Sequence, residues 1–170
     1  AEKILEQFNG NSVILRPSVV FGPGDSFMNL FAKMQKYSPI MPMALTKTQF
    51  QPIYINDLIE IILRCVNMIK KKKIETYECV GPEIFTLYEI IKFSGIYSGR
   101  KAMVIPLPKF VGLIQAFILE KIPGPTLMSR DNIASMSVPS IATKNKELVF
   151  RLEQPTSIHK VAPKFLSKGK

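Results

Sequence analysis

The first informative pattern in the chain is the unbroken apolar run Val-Ile-Leu at positions 13–15, which is followed by Pro17 and then by Gly22-Pro-Gly24. A run without polar alternation is typical of a parallel strand covered on both faces. Proline lacks the N–H that a strand ladder needs, and a glycine-rich turn ends an extended segment. We therefore predict a buried parallel strand that stops near Pro17.

Helical and extended patterns alternate after this strand. Apolar residues at helical spacing predict helices through 27–34 with Ser26 as cap, through 58–69 with Asn56 or Asp57 as cap, and through 87–93 behind the capping box Thr86-x-x-Glu89. Extended segments are predicted at 50–55 and 75–80. This order favours an α/β protein with a parallel sheet, in which residues 13–15 and 77–79 are neighbours or near-neighbours.

The residues before this strand are expected to end a helix, with Ile4, Leu5 and Phe8 as its stripe and Asn9-Gly10 as its left-handed cap. A parallel strand needs parallel neighbours, and little sequence precedes this one. We therefore expect the chain to be the C-terminal portion of a larger α/β protein, whose exposed sheet edge and apolar surface need a partner.

The pattern changes after residue 98. A strand at 103–105, a turn at 106–108 and a very apolar helix at 110–119 are followed by the break Pro123-Gly-Pro125, a helix opening at Ser129 or Asp131, and a mostly polar tail at 144–170 anchored by Leu148, Phe150 and Leu152. We predict that residues 1–98 belong to the sheet domain, with a lobe insertion at about 23–53, and that residues 99–170 form a smaller, mostly helical lobe packed beyond the carboxyl ends of the strands.

The chain carries a formal net charge of +10, because 23 basic residues face 13 acidic ones. Such an excess indicates an anionic partner. The densest cluster, residues 70–73, follows a predicted helix, where cations also satisfy the helix dipole, and a solvated helix end is the favoured interpretation. No zinc-finger spacing or RNA-binding aromatic motif occurs, which argues against a nucleic-acid module. The 46% hydrophobic content argues against general disorder.

The helix between Lys109 and Lys121 is apolar around most of its circumference. A helix buried in the lobe is the favoured interpretation, and peripheral attachment to a membrane surface is the alternative. No apolar run approaches the roughly 20 residues of a membrane-spanning helix, and no secretory leader opens the sequence.

The remaining candidate residues have structural explanations. Cys65 and Cys79 lack metal-ligand spacing and are expected to be buried free thiols in a reducing compartment. His159 is assigned to the surface, and Tyr54, Asp57 and Tyr88 to capping or packing. The pair Arg130-Asp131 fits a helix start better than a substrate or partner contact. We assign no catalytic residue and no metal ligand.

Several motifs resemble one family. The segments Ile14-Leu-Arg-Pro-Ser-Val-Val-Phe-Gly-Pro-Gly24, Phe50-Gln-Pro-Ile-Tyr-Ile-Asn-Asp57 and Tyr77-Glu-Cys-Val-Gly-Pro-Glu83, with Thr86-Leu-Tyr-Glu89, resemble the second half of extended or atypical short-chain dehydrogenases/reductases. Gly99-Arg-Lys101, Ile105-Pro-Leu-Pro108, Pro123-Gly-Pro125, Ser129-Arg-Asp131 and Pro155-Thr-Ser157 are more specifically similar to the NAD(P)H-binding accessory subunits of respiratory complex I and their bacterial relatives.

The resemblance implies the C-terminal portion of a doubly wound, Rossmann-type parallel sheet with a smaller, mostly helical substrate or partner lobe. In that family an N-terminal Gly-rich loop holds NAD or NADP, and the enzymes use a Tyr-x-x-x-Lys pair as acid or base; both would lie upstream of Ala1. What remains here is Pro17, Ser18, Val19 and Val20, whose backbone lines the nicotinamide end in the family. A plain strand-to-turn junction is the alternative.

Two functions follow from the resemblance. The first is a binding, structural or assembly role beside a respiratory complex, with the complex subunits or an N-terminal half as partners. This places the protein in the cytoplasm or peripherally on the inner membrane, on the matrix side in a eukaryote. The second is an active NAD(P)-dependent nucleotide-sugar epimerase, dehydratase or reductase. In either case we expect the chain alone to be inactive and to bind a dinucleotide weakly or not at all.

Overall fold

A computed structural model describes residues 12–68, 75–121, 129–143, 149–150 and 152–167. The elements in chain order are β1 (Val13–Pro17), β2 (Val20–Phe21), α1 (Met28–Tyr37), β3 (Ile40–Ala44), β4 (Gln49–Phe50), β5 (Ile53–Tyr54), α2 (Ile55–Met68), β6 (Glu75–Cys79), β7 (Phe85–Thr86), α3 (Leu87–Tyr97), β8 (Met103–Leu107), α4 (Lys109–Leu119), α5 (Arg130–Met136), β9 (Val149–Phe150) and α6 (Ile158–Leu166). The predicted helix end at residues 4–10, the lysines at 70–73, the break at 123–125 and Leu148 lie outside the described residues.

The main sheet has three parallel strands, with β6 between β1 and β9. Leu15 is paired with Tyr77 and Pro17 with Cys79, which confirms the predicted adjacency of the first strand and the strand near residue 77. Strand β9 pairs Phe150 with Cys79. It has only two residues in a polar tail, so alternation in the sequence could not reveal it.

Strand β1 is less buried than its apolar run predicts. Val13 and Leu15 are half-buried and pack against a cluster formed by Ile53, Leu58, Ile61, Cys65 and Cys79. The expectation of a strand buried on both faces is wrong within the part of the chain that the structure describes. There, β6 is the one ladder partner of β1, and Ile14 on the alternate face joins neither core cluster.

A second, larger core brings the middle and the end of the chain together. Its fully buried members include Phe21, Met28, Phe31, Leu87, Ile90, Ile91 and Ala162. Beside it, β3 and β8 pair in parallel from Ile40–Met103 to Ala44–Leu107. The turn predicted at 106–108 is wrong, because Pro106 is still in this ladder; β8 has β3 as its described partner, and an edge strand tolerates proline. The domain division at residue 98 stays a prediction.

Helix starts follow the sequence in some places and not in others. Thr86 Oγ1 accepts a hydrogen bond from Glu89 N, and Glu89 Oε2 accepts one from Thr86 N, which confirms the capping box. Ser129 caps α5, as one of the two predicted starts. Asn56 and Asp57 do not cap α2, because that helix already begins at Ile55. The tail also contains α6, capped by Ser157, which the polar composition concealed.

The apolar helix α4 is not a buried lobe helix, so that expectation is wrong. Gly112 and Ala116 are its buried residues, and the narrow face that they form packs against β3 and α5. Its large side chains point outward, with exposed fractions from 36% to 65%: Phe110, Leu113, Ile114, Phe117 and Ile118. Within the described residues, no helix has the length and apolarity needed to cross a bilayer.

Candidate nicotinamide-facing site

The candidate residues 17–20 lie where β1 ends beside β6. Pro17 is the last paired residue, opposite Cys79, and Ser18 N donates to Cys79 O at 2.9 Å. The backbone then passes from the main sheet to the short β2–β5 pair, in which Val20 is opposite Ile53. Carboxyl ends of adjacent parallel strands therefore meet here, as a ligand site in an open α/β sheet requires.

Ser18 is tied into the fold through its side chain. It is 8% exposed, and its hydroxyl donates to Ser140 O at 2.7 Å and lies 3.0 Å from Ser140 Oγ. Ser140 in turn donates its N–H to Gln49 O and accepts at its carbonyl from Gln51 N. The segment around Ser140 thus lies across the strand ends, and the Ser18 hydroxyl already has partners within the protein.

Val19 and Val20 lie at the boundary between the two cores. Val19 packs against the larger cluster and Val20 against the smaller one. Val19 O accepts a hydrogen bond from Ile53 N at 2.9 Å. With Pro17 exposed and Val20 half-buried, the four residues offer a ligand an apolar wall rather than a polar side chain.

The turn after β2 is closed by Asp25. Its Oδ1 accepts from the backbone N–H groups of Phe27, Met28 and Asn29 at 2.8, 2.6 and 3.2 Å, and its Oδ2 accepts from Gly22 N at 3.2 Å. The predicted cap Ser26 is therefore wrong, and Asp25 performs that role. Because this carboxylate occupies the N-terminus of α1, the turn does not offer those donors to a phosphate.

A cavity of about 270 Å³ lies over the same turn. It is lined by Val20, Phe21, Gly22, Pro23, Gly24, Asp25, Ser26 and Ile55. Gly22 is needed for the close packing, since a Cβ at this position would lie 2.7 Å from Ile55 Cγ2. Of the four candidate residues, the structure brings Val20 into this cavity.

A second cavity, also about 270 Å³, lies at the end of β6 and was missed by the sequence analysis. Gln51, Val80, Gly81, Pro82, Leu152 and Pro155 line it. Gln51 is 9% exposed; its Nε2 donates to Gly81 O at 2.8 Å and its Oε1 accepts from Ala142 N at 3.0 Å. The motifs at 77–83 and 155–157 contain several of these lining residues, but the sequence could not show that they meet, because the contacts of Gln51 come from distant segments.

Other candidate residues are packed away from a catalytic arrangement. Cys65 and Cys79 are buried free thiols, and burial raises the pKa of Cys79 to about 11 and also raises that of Cys65. His159 is exposed; its Nδ1 lies 2.5 Å from the Tyr97 hydroxyl, and its ring packs 4.7 Å from that of Phe93. Within the described ranges, His, Cys, Asp and Glu form no group of three that could hold a metal ion.

Arg130 is paired with Glu120 rather than with its neighbour Asp131. Arg130 N and Nε donate to the two carboxylate oxygens of Glu120 at 2.7 and 2.9 Å. The guanidinium also lies 5.3 Å from the centre of the Phe117 ring. The predicted local pair at a helix start is therefore replaced by a contact between α5 and the end of α4.

Tyr88 and Lys92 have the four-residue spacing of the family's catalytic pair. They lie on α3 and line a third cavity, which contains none of residues 17–20. The spacing alone therefore does not place a tyrosine–lysine pair beside residues 17–20.

Curated relatives share sequence with this chain. It is 26% identical over 145 residues to NADH dehydrogenase [ubiquinone] 1 alpha subcomplex subunit 9, mitochondrial, of Arabidopsis thaliana, which covers 79% of this chain and 36% of that protein. It is 31% identical over 113 residues to the protein of the same name from Mus musculus, covering 65% and 29%. The chain thus spans about a third of the length of these relatives. No protein-family model matches the chain.

Solved structures show the same fold. A dTDP-glucose 4,6-dehydratase from Streptomyces venezuelae, with NAD bound, superimposes with a TM-score of 0.54 at 13% identity, covering 92% of this chain and 42% of that one. A dTDP-4-dehydrorhamnose reductase from Clostridium acetobutylicum superimposes with a TM-score of 0.52 at 16% identity, covering 86% of this chain and 49% of that one. The chain therefore shares the Rossmann-type α/β fold of these solved enzymes and is similar in sequence to the subunit 9 proteins of NADH dehydrogenase (ubiquinone).

Proposed function

We propose that the chain is the C-terminal part of an NAD(P)-binding-fold accessory subunit of respiratory complex I, with a binding, structural or assembly role. The sequence similarity to the subunit 9 proteins carries this proposal. Its partners are other subunits of the complex and an N-terminal half that holds most of the dinucleotide. Residues 17–20 then form the apolar wall against which the nicotinamide end of NAD or NADP lies.

The geometry at the strand ends supports a minor share in cofactor binding for this chain. The hydroxyl of Ser18 and the carbonyl of Val19 have protein partners, and Asp25 occupies the N-terminus of α1. A dinucleotide gains much of its affinity from its pyrophosphate at an open helix N-terminus. We expect weak or absent binding until the upstream half is present.

Calorimetric titration with NADH and NADPH tests this assignment. The 170-residue chain should show no sub-micromolar dissociation constant, whereas a longer protein that includes the upstream half should bind one of the two. In the longer protein, Val20→Phe, which fills the cavity over the turn, should weaken binding. The matched variant Ile14→Phe, which lies outside that cavity, should not. Sub-micromolar binding by the chain alone, or equal effects of the two variants, would contradict the proposal.

An active epimerase, dehydratase or reductase is the second candidate, favoured by the fold shared with sugar-nucleotide enzymes. It requires a Tyr-x-x-x-Lys pair beside residues 17–20, contributed by upstream sequence. Turnover of dTDP- or UDP-sugars by the longer protein, lost when that tyrosine is replaced by phenylalanine, would establish this candidate in place of the scaffold role. No turnover with intact dinucleotide binding would exclude it.

A peripheral position on the inner membrane, on the matrix side in a eukaryote, is the third part of the proposal. The stripe Phe110, Leu113, Ile114, Phe117 and Ile118 is exposed on α4, with Lys109 at the start of the helix and Lys121 just after its end. An apolar helix face bordered by cations binds an anionic bilayer surface.

Flotation with vesicles tests the membrane contact. The chain should float with vesicles containing phosphatidylglycerol and much less with pure phosphatidylcholine. Phe117→Glu should reduce flotation, whereas Val138→Glu, at a position that is 65% exposed outside the stripe, should not. Equal behaviour of the two variants would show that α4 does not make the contact.

A further inference from the structure

A cavity of about 200 Å³ lies between α1, α3 and the start of β8, apart from the strand-end site. Its lining is Gln35, Tyr88, Lys92, Ile96, Lys101, Ala102, Met103 and Val104. Tyr88, Lys92 and Ile96 follow one another at intervals of four and therefore share one face of α3. Lys101 and Met103 complete the cavity from the other side.

The cavity combines two cations with an apolar wall. Among the described residues, neither Lys92 nor Lys101 forms an ion pair. The nearest acid on α3, Glu89, is engaged by the backbone and hydroxyl of Thr86. Ile96 and Met103 are 41% and 67% exposed and provide the apolar wall of the cavity.

Gln35 fixes the floor of the cavity. It is 5% exposed; its Nε2 donates to Ile91 O at 2.8 Å and to Phe31 O at 3.3 Å, and its Oε1 accepts from Ala102 N at 3.2 Å. Gly95 leaves room for this amide, since a Cβ there would lie 2.1 Å from Gln35 Oε1. These three hydrogen bonds hold the Gln35 side chain in place before any ligand arrives, and binding does not have to order it.

We propose that this cavity binds the head of a single-chain amphiphilic anion, that is, a phosphate or carboxylate group followed by an apolar chain. The ammonium groups of Lys92 and Lys101 and the phenol of Tyr88 supply donors for the headgroup. Ile96 and Met103 cover the start of the ligand's apolar chain. The volume of the cavity is below the roughly 300–1,000 Å³ of sites for whole drug-sized ligands. The rest of the ligand's apolar chain therefore lies along the protein surface.

The test distinguishes the contribution of the ligand's headgroup from that of its apolar chain. The 170-residue chain is titrated by calorimetry with octyl phosphate, octanoate, inorganic phosphate and octyl glucoside, all below their micellar concentrations. Octyl phosphate or octanoate should bind at least tenfold more tightly than inorganic phosphate and octyl glucoside. Raising the salt concentration should weaken that binding, because exposed charges are screened. The ratio of the dissociation constants of octyl phosphate and octanoate shows which headgroup the cavity prefers.

Variants locate the site. Lys92→Gln and Lys101→Gln should each weaken binding roughly three- to tenfold, as expected for a charge-assisted hydrogen bond in a partly exposed site. Met103→Ser should weaken the binding of the amphiphiles and leave the binding of inorganic phosphate unchanged. Lys164→Gln removes the same charge from α6 and should have no effect; thermal melts establish that each variant is folded.

Three results would overturn the proposal. Equal affinity for octyl phosphate and inorganic phosphate would indicate a simple basic surface, and equal affinity for octyl glucoside would indicate an uncharged groove. An effect of Lys164→Gln as large as that of Lys92→Gln would indicate diffuse attraction by the net charge.

Discussion

Asp57 and Thr156 are joined at two points: Asp57 Oδ2 accepts a hydrogen bond from Thr156 N at 2.6 Å, and Asp57 Oδ1 accepts one from Thr156 Oγ1 at 2.8 Å. Asp57 lies in the first turn of α2 and is 8% exposed, whereas Thr156 lies just before α6. The sequence suggested a capping aspartate, and the structure shows a clamp between α2 and the C-terminal segment.

Asp57→Asn should therefore destabilise the fold. The amide replaces one carboxylate oxygen with a donor, so that one of the two Thr156 donors loses its acceptor, at a cost of about 1–3 kcal/mol. Urea unfolding measures this change. Glu60→Gln on the same helix is the matched control, because Glu60 makes an exposed ion pair with Arg64 and should cost at most about 1 kcal/mol. Equal effects of the two variants would show that the clamp contributes nothing.

Gly81→Ala should destabilise the fold more than Gly24→Ala. A Cβ at Gly81 would lie 1.9 Å from the carbonyl oxygen of Pro52, so the backbone around the second strand-end cavity must move. Gly24 has open space but a φ of +78°, and an L residue there should cost about 1–2 kcal/mol. Chemical unfolding of both variants gives the comparison, and a Gly81→Ala protein as stable as wild type would contradict the packing described here.

Local signals predicted much of the fold because they are complete within a few residues. The Thr86–Glu89 capping box and the run at 13–15 are such signals. The contacts at the candidate site are different. Ser18 meets Ser140 across 122 positions and Gln51 meets Ala142 across 91, so their partners depend on the path of the whole chain. The sequence could therefore place residues 17–20 at a strand end, but it could not show what covers them.

The stability supplied by Glu89 should depend on pH. Donation from Thr86 N, and then from the Thr86 hydroxyl, lowers the pKa of Glu89 below its ordinary value of 4.5. A lowered folded-state pKa stabilises the fold above the unfolded-state pKa, and this contribution is lost as the pH falls through the folded-state value.

Glu89→Gln should therefore be less stable than wild type near neutral pH, and the difference should shrink as the pH falls below about 4.5. Thr86→Ala removes the acceptor for Glu89 N and should destabilise the fold by about 1 kcal/mol. Part of this destabilisation should remain in acid. Urea midpoints across this pH range measure both variants. A difference for Glu89→Gln that does not change with pH would exclude the carboxylate as the stabilising form.

Helix α2 carries two apolar stripes, and only one of them is covered. Leu58, Ile61 and Cys65 are buried against the main sheet. Ile62 is 43% exposed and belongs to a second stripe with Ile59, Leu63 and Val66. This stripe repeats at helical spacing, and its residues belong to neither core cluster of the described chain.

The second stripe of α2 is exposed, and strand β1 has one ladder partner among the described residues. We therefore predict that the isolated chain self-associates and binds a hydrophobic dye. Leu63→Lys with Val66→Glu should reduce dye fluorescence and shift the chain toward monomer in size-exclusion chromatography. Ile61→Lys, on the buried stripe, should unfold it instead. If the proposed function is correct, co-expression with an N-terminal dinucleotide-binding half should abolish dye binding by the wild-type chain. A monodisperse wild-type monomer at high concentration, with a cooperative melt and no dye binding, would show that these residues complete their own core.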